Sequence, residues 1–299
     1  MNWITIAILG YMLLAVESVI SKYLLVGRIK GWRLYAFYVG ILSLFTIVLS
    51  PFGLEHDGLM PIVITYLSGI IFYISLCFLF NALLHSSADR VYILQGASTT
   101  LLTLVLSALF LNEGINQLRA IAILFLVLGG LFIAYRFHHK TFFKGWHKIL
   151  IAAILGSVSL IMLKYSYGGQ NFVAGYVFNR IGIFSGAVLS LALPSFRKDI
   201  VGSWRKKSVG HNTLNVVGTI IAKTIAGSGM VLTNYAIYLG SVAIVSSLVS
   251  VQYLFTFLFV FILSFHSRKI FHQHFSWKNI LLKITGILLV ILGTVFVFL

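Results

Sequence analysis

Uncharged stretches of about twenty residues follow one another from one end of this chain to the other, and that feature restricts the fold more than any motif does. A helix crossing about 30 Å of hydrocarbon needs about 20 apolar residues, because every backbone N–H and C=O must be satisfied within the segment. Ten segments meet that requirement: Trp3–Val26, Leu34–Leu49, Ile62–Leu84, Val91–Leu111, Ala120–Tyr135, Ile149–Tyr165, Phe172–Leu193, Leu214–Leu239, Val242–Phe265 and Ile280–Leu299. A water-soluble domain carries roughly a quarter of its residues as charges, whereas here 9% are charged and 60% are hydrophobic. The expected fold is all-α and transmembrane, with ten spanning helices.

The first segment is too long for a secretory signal and lacks a basic leader and a small-residue cleavage pattern, so it is read as retained. The single cysteine, Cys77, falls inside an apolar run and excludes disulfides and cysteine-based metal sites.

A net charge of +16 raises the question of nucleic acid, and the placement of the charges answers it. Arg28, Lys30 and Arg33 follow segment one; Arg136, Lys140, Lys144 and Lys148 follow segment five; Arg197, Lys198, Arg205, Lys206 and Lys207 follow segment seven; Arg268, Lys269 and Lys278 follow segment nine. These are alternate loops, hence one side of the membrane, and by the positive-inside rule the cytoplasmic one. The other side carries Glu55, Asp57 and Glu113 against Arg119, and both termini fall there. Basic loops suit an anionic leaflet, at about 1 kcal/mol per Lys or Arg near the surface. The partner is therefore the lipid bilayer and not nucleic acid.

Self-comparison shows an internal repeat. One constant offset lays Lys22-Tyr23 on Lys164-Tyr165, Gly40 on Gly182 and Ser43 on Ser185; slightly larger offsets lay Asn81 on Asn234 and Gly129 on Gly293. The expected organisation is a first five-helix repeat over 1–139 and a second over 140–299. An odd number of crossings makes the second repeat enter the membrane from the opposite side, the inverted geometry common in transporters, with the site near the midplane.

The stretch Asn81-Ala-Leu-Leu-His-Ser-Ser-Ala-Asp-Arg-Val, the helix after it and the run Leu109-Phe-Leu-Asn-Glu-Gly resemble the third and fourth helices of an EamA repeat, and the Gly129-Gly130 helix resembles its fifth. The resemblance covers nearly the full chain and implies the drug/metabolite transporter superfamily, whose ten-helix members carry two such repeats. The second half departs from the pattern, reading Ser-Phe-His266-Ser where the first reads Leu-Asn-Glu113-Gly. The resemblance implies a transporter in the plasma (bacterial inner) membrane and leaves the substrate open among amino acids, nucleotide sugars, purines, drugs and lipid-linked sugars.

Charges deep in a bilayer cost at least about 2.5–3.5 kcal/mol each and usually face a cavity. Glu17 lies two-thirds along segment one, Lys223 near the middle of segment eight, and Arg180, preceded by Asn179, inside segment seven. Glu17 has two readings: a proton- or cation-sensitive carboxylate, or one half of a structural ion pair with Lys223 or Arg180. Its matched position in the second repeat is Ser159. Lys223 and Arg180 suit a carboxylate or phosphate on a substrate, Arg180 through its bidentate fork. Lys22 and Lys164 sit at helix ends, where long basic chains snorkel to the headgroups. Asn81 and Asn234 are matched by the repeat, and Gln95, Ser98, Thr99 and Thr100 make a polar patch on the fourth helix; Tyr73, Tyr92, Tyr235 and Tyr253 add aromatic surfaces with hydroxyls. The substrate or coupling cavity is assigned to Glu17, Arg180, Lys223, Asn81, Asn234, Gln95, Tyr92 and Tyr235.

Gly182 and Gly186 form a GxxxG pair suited to close helix approach, and Gly227-Ser228-Gly229 interrupts an otherwise smooth helix as a packing seam or a hinge. Pro51, Pro61 and Pro194 all fall at segment ends, so the helices are expected to be continuous.

No HExxH zinc site, paired aspartates or GxS nucleophile with a base is present, which argues against an enzyme. His138, His139, His147, His266, His272 and His274 lie in basic loops and read as interfacial, without metal or other cofactor. A channel or a non-transporting polytopic protein is the alternative from another class. Inverted repeats with scattered buried charges favour a carrier that rocks around a central cavity and exports or exchanges a small metabolite. A proton or counter-ion as coupling partner, and a monomeric or homodimeric state, are left open.

Overall fold

The computed structural model describes residues 2–24, 31–85, 88–114, 116–134, 145–205, 213–266 and 277–298. They form α1 (Trp3–Leu24), α2 (Trp32–Leu42) running into a 3₁₀ stretch (Ser43–Phe52), α3 (Leu59–Ala82), α4 (Ala88–Phe110), α5 (Gln117–Ala134), α6 (Trp146–Ser166), α7 (Phe172–Ser190), α8 (Pro194–Arg205), α9 (Thr213–Leu239), α10 (Val242–Ser247), α11 (Val249–His266) and α12 (Trp277–Phe298). Among the described residues, eight stretches of helix are long and apolar enough to cross a membrane, and Leu94–Phe110 and Gln117–Ile133 are shorter apolar helices. This is a multi-pass helical membrane protein.

The helices gather into two compact units. One holds 1–28, 113–140 and 209–299; the other holds 29–112 and 141–208. Each therefore draws helices from both halves of the sequence.

In the first unit α1 packs on α9 and, more lightly, on α11, while α5 packs on α12. Small residues make the seams, as expected where lipid removes the hydrophobic drive between helices and close backbone approach supplies the attraction. A Cβ on Gly10 would stand 2.8 Å from Thr233 Cγ2 and 3.0 Å from the Gly229 carbonyl; one on Gly129 would stand 2.8 Å from the Gly286 carbonyl. Gly10 lies opposite Gly229, and Glu17, two turns further along α1, meets Lys223, earlier in α9, so these two helices run antiparallel. Gly129 against Gly286 and Leu126 against Gly293 set α5 and α12 antiparallel too. Tyr11 bonds the Val245 carbonyl and Ser18 meets Gln252, so α1 runs parallel to α10 and α11.

In the second unit α6 packs on α3 and α4, and α7 packs on α2 and α3. Hydroxyls stitch α3 to α6: Thr65 donates to Ser166 (2.7 Å), Ser159 to the Ser68 carbonyl (2.9 Å) and Ser75 to the Ala152 carbonyl (2.7 Å), an antiparallel order. Ser157 donates to the Thr99 carbonyl at 3.1 Å, across the parallel pair α4 and α6. Gly182 lies against Gly69 and the Tyr66 carbonyl, so the expected GxxxG pair does serve close packing, here against α3. Asn171 caps α7 by accepting from the Ala174 N–H at 2.8 Å. Beyond the α3–α6 end, Asp57 N–H bonds the Gly169 carbonyl and Asn171 N–H the Glu55 carbonyl, joining two loops that the alternation of segments assigns to one side.

Two segments expected to be continuous are broken. Segment two tightens to 3₁₀ at Ser43, whose hydroxyl donates to the Gly40 carbonyl (2.6 Å) and also meets the Arg180 carbonyl (3.0 Å), and Pro51 inside the stretch has no N–H to give. Segment nine splits at Leu248 into α10 and α11; the Ser246 and Ser247 hydroxyls bond the Ala243 and Ile244 carbonyls and compete with the helical ladder there. Conversely, α9 runs through Gly227-Ser228-Gly229 without interruption, and Gly229 serves the seam with Gly10.

The basic stretch after segment seven, expected as a loop, folds into α8. Phe196 and Ile200 of α8 are buried with Ala36, Phe37, Tyr73, Phe80, Ile183 and Ala187.

Candidate functional site

The glycine seam between α1 and α9 brings the backbones close enough for two charged chains to meet inside apolar helices. Lys223 Nζ stands 2.7 Å from Glu17 Oε1, with side-chain exposures of 40% and 16%. The pair is asymmetric: the carboxylate is shielded and the ammonium is open on one side. Beside it Ser18 donates to the Leu14 carbonyl (2.8 Å), and Gln252 of α11 approaches the Ser18 hydroxyl at 3.5 Å. Neighbouring residues of α1 thus make two separate polar contacts, Glu17 with Lys223 of α9 and Ser18 with Gln252 of α11. Of the two readings of Glu17, an ion pair with Lys223 is realised in the geometry.

The other residues assigned to the cavity have separate settings. Asn234 donates to the Met230 carbonyl of its own helix (2.8 Å), and Tyr235, partly exposed, stacks on Tyr238 with centroids 6.1 Å apart. Asn81, its matched residue in the second unit, instead accepts from Lys148 at 2.9 Å; the same ammonium lies 2.7 Å from His85 Nε2. The repeat matches the two asparagines in sequence and the structure gives them different partners. Gln95 donates to Thr99 at 3.3 Å along α4, and Tyr92 is exposed. Arg180 donates to the Tyr176 hydroxyl at 3.1 Å with its guanidinium 4.7 Å from that ring, and its carbonyl accepts from Ser43. Lys22 and the histidines at 138, 139, 266, 272 and 274 lie outside the described side chains.

Three participants were not singled out from the sequence. Gln252 is one polar residue in a run rich in Phe, with no motif to mark it. Lys148 precedes an apolar run and reads as a loop charge, yet its flexible stem carries the ammonium back to Asn81. Lys283 is buried, with its ammonium 4.4 Å from the Phe257 ring centroid. Its position near the start of segment ten was the available signal.

The glutamate of the Leu-Asn-Glu113-Gly run has a structural role that its spacing did not disclose. Glu113 accepts from the Ser241 hydroxyl (2.6 Å) and the Val242 N–H (3.1 Å), so a carboxylate from the loop after α4 caps the start of α10, where the helix dipole favours it.

No family model matches the chain, and no curated protein matches it. Among solved structures 27 chains resemble it. One, described as "Crystal structure of protein", superposes with a TM-score of 0.66 at 15% identity, over 99% of this chain and 94% of its own. That likeness is one of fold.

Proposed function

We propose that this protein is a transporter of the plasma (bacterial inner) membrane that exports a small polar or acidic metabolite by alternating access between two inverted five-helix repeats. The observation that carries the reading is the Glu17–Lys223 pair, held at 2.7 Å within apolar helices. Intramembrane charges are rare and mark substrate or ion pathways.

Two features of the packing support ten crossings in two repeats. Every seam described above runs in the direction that ten alternating segments require: antiparallel for α1 with α9, α5 with α12 and α3 with α6, parallel for α4 with α6. The pattern also exchanges the repeats. In one unit the first helix of repeat one packs on the third and fourth helices of repeat two; in the other the first helix of repeat two packs on the third and fourth of repeat one.

The chemistry follows from competition for one ammonium. With Glu17 ionised, its carboxylate holds the Lys223 ammonium at 2.7 Å. A substrate carboxylate or phosphate competes with the Glu17 carboxylate for the Lys223 ammonium.

The test is flux in proteoliposomes, screened over amino acids, nucleotides and sugar phosphates, with Glu17→Gln as the comparison. The wild-type chain is expected to move at least one of these classes, and Glu17→Gln to lower that flux at least about tenfold while the protein stays folded, since the lost group lies on the ion pathway. Absence of flux for every class, or equal flux in wild type and Glu17→Gln, overturns the proposal.

A further inference from the structure

At twelve residues, α8 spans about 18 Å and carries Arg197, Lys198, Asp199 and Arg205, so it is too short and too charged to cross the membrane. It follows the end of α7 by three residues and packs on the start of α2. Phe196 meets Trp32 edge-on at 5.4 Å, and Arg33 stands 5.0 Å from the Trp32 ring and 5.9 Å from the Phe196 ring while pairing with Asp199 at 2.7 Å. The helix is therefore clamped where two apolar spans end, at the level of the headgroups.

Its flanks divide by chemistry. With Phe196 and Ile200 turned into the protein, Leu193, Arg197 and Val201 follow one another at i, i+4 and i+8 along one exposed flank, and Ser195, Gly202 and Asp199 occupy the other. Leu193 is 54% exposed and Val201 39%, an apolar pair that water does not reward and an acyl boundary does. Arg197 lies between them, its aliphatic stem beside apolar neighbours and its guanidinium free to rise to a phosphate. Lys198 lies next round the helix. The one acid of α8, Asp199, is taken by Arg33, so among the described residues neither Arg197 nor Lys198 has an ion pair.

We infer that α8 is an interfacial helix seated on anionic phospholipid, with Arg197 and Lys198 binding the phosphodiester headgroup and Leu193 and Val201 dipping into the acyl boundary. Charge complementarity and the apolar flank together select a lipid, since a soluble phosphate would satisfy the cations and leave Leu193 and Val201 in water. The Arg33–Asp199 bridge holds the helix in that attitude, so the lipid is linked through α8 to the entry of α2.

The experiment uses the full chain with Cys77→Ser, purified in detergent and titrated with phosphatidylglycerol or phosphatidylcholine, lipid retention being read by native mass spectrometry. The tightest phosphatidylglycerol site is expected to weaken about thirtyfold in the Arg197→Gln/Lys198→Gln variant, from two basic residues at a headgroup, and to be unchanged in Arg119→Gln, an exposed arginine after α4. A second arm places a fluorophore at Val201→Cys in phosphatidylglycerol vesicles, where quenchers carried on lipid are expected to reach it and aqueous iodide to be excluded. Equal retention by wild type and the double variant, preference for phosphatidylcholine, displacement of the lipid by inorganic phosphate alone, or full quenching by iodide each overturns the inference.

Discussion

The seams α1–α9 and α3–α6 occupy matched places in the two units and are built from opposite materials. The first is a glycine contact, Gly10 on Gly229, with one charge pair two turns away. Among the described residues the second has no glycine against glycine; a Cβ added to Gly156 would stand 3.3 Å from the Ser75 hydroxyl and 4.0 Å from Gln95 Nε2, and hydroxyls donate to backbone carbonyls along its length. A hydroxyl bonded to a helix carbonyl has a fixed partner. A carboxylate and an ammonium have partners that a proton or an anion can replace. The difference separates a seam that holds shape from one that can change state, although both bury the same kind of apolar surface.

Moving the charge across the comparison tests it most severely. Ser159 is 3% exposed, lies at the sequence offset that matches Glu17, and donates to the Ser68 carbonyl; among the described residues no ion pair reaches it. Ser159→Glu is expected to cost at least about 3 kcal/mol, because it buries a carboxylate without a counter-charge, and to abolish the monodisperse folded protein in thermal-stability chromatography. If Ser159→Glu folds normally, the two seams are interchangeable and the contrast fails.

A smaller effect separates the two kinds of packing. Gly10→Leu drives a side chain into the Gly229 carbonyl and Thr233, and overpacking of this kind costs about 1–3 kcal/mol. Gly156→Ala faces a rotatable hydroxyl and is expected to remain within about 1 kcal/mol of wild type, with the helix gaining from the lost glycine. A lower melting temperature for Gly156→Ala than for Gly10→Leu would reverse the assignment of which seam is tight.

The smallest change tests the stitching itself. Ser159→Ala removes one donor to the Ser68 carbonyl, and interhelical hydrogen bonds in membranes average about 0.6 kcal/mol. The expected result is a slight fall in melting temperature with flux unaltered. A flux defect in Ser159→Ala would give the hydroxyl seam a part in transport.

Hydropathy located the long helices well: Ile149–Tyr165 is Trp146–Ser166 in the structure, and Phe172–Leu193 is Phe172–Ser190. Apolar runs bounded by charges leave few alternatives. The breaks at Ser43 and Leu248 escaped notice because they depend on serine hydroxyls turning to particular carbonyls, which composition does not encode. The scarcity of buried charge marked Lys223 and Arg180 as alternative partners of Glu17, and the structure pairs it with Lys223. Nothing in the spacing of Lys148 points to Asn81, since a four-carbon stem reaches wherever the tertiary fold leaves room. α8 was obscured for a related reason: its few apolar residues are too sparse for a hydropathy window, and only their placement on one face makes them a docking surface.

The interleaving of helices also governs when the molecule can fold. The Glu113 carboxylate and the Ser241 hydroxyl are 128 residues apart in the chain, and Glu17 and Lys223 are 206 apart. During synthesis α1 leaves the ribosome long before α9 exists, and α5 waits for α12. Multidomain chains commonly complete their N-terminal part first; here the unit that contains α1 also needs α9 and α12 before it closes. In the interval Glu17 is without Lys223, 206 residues further along the chain.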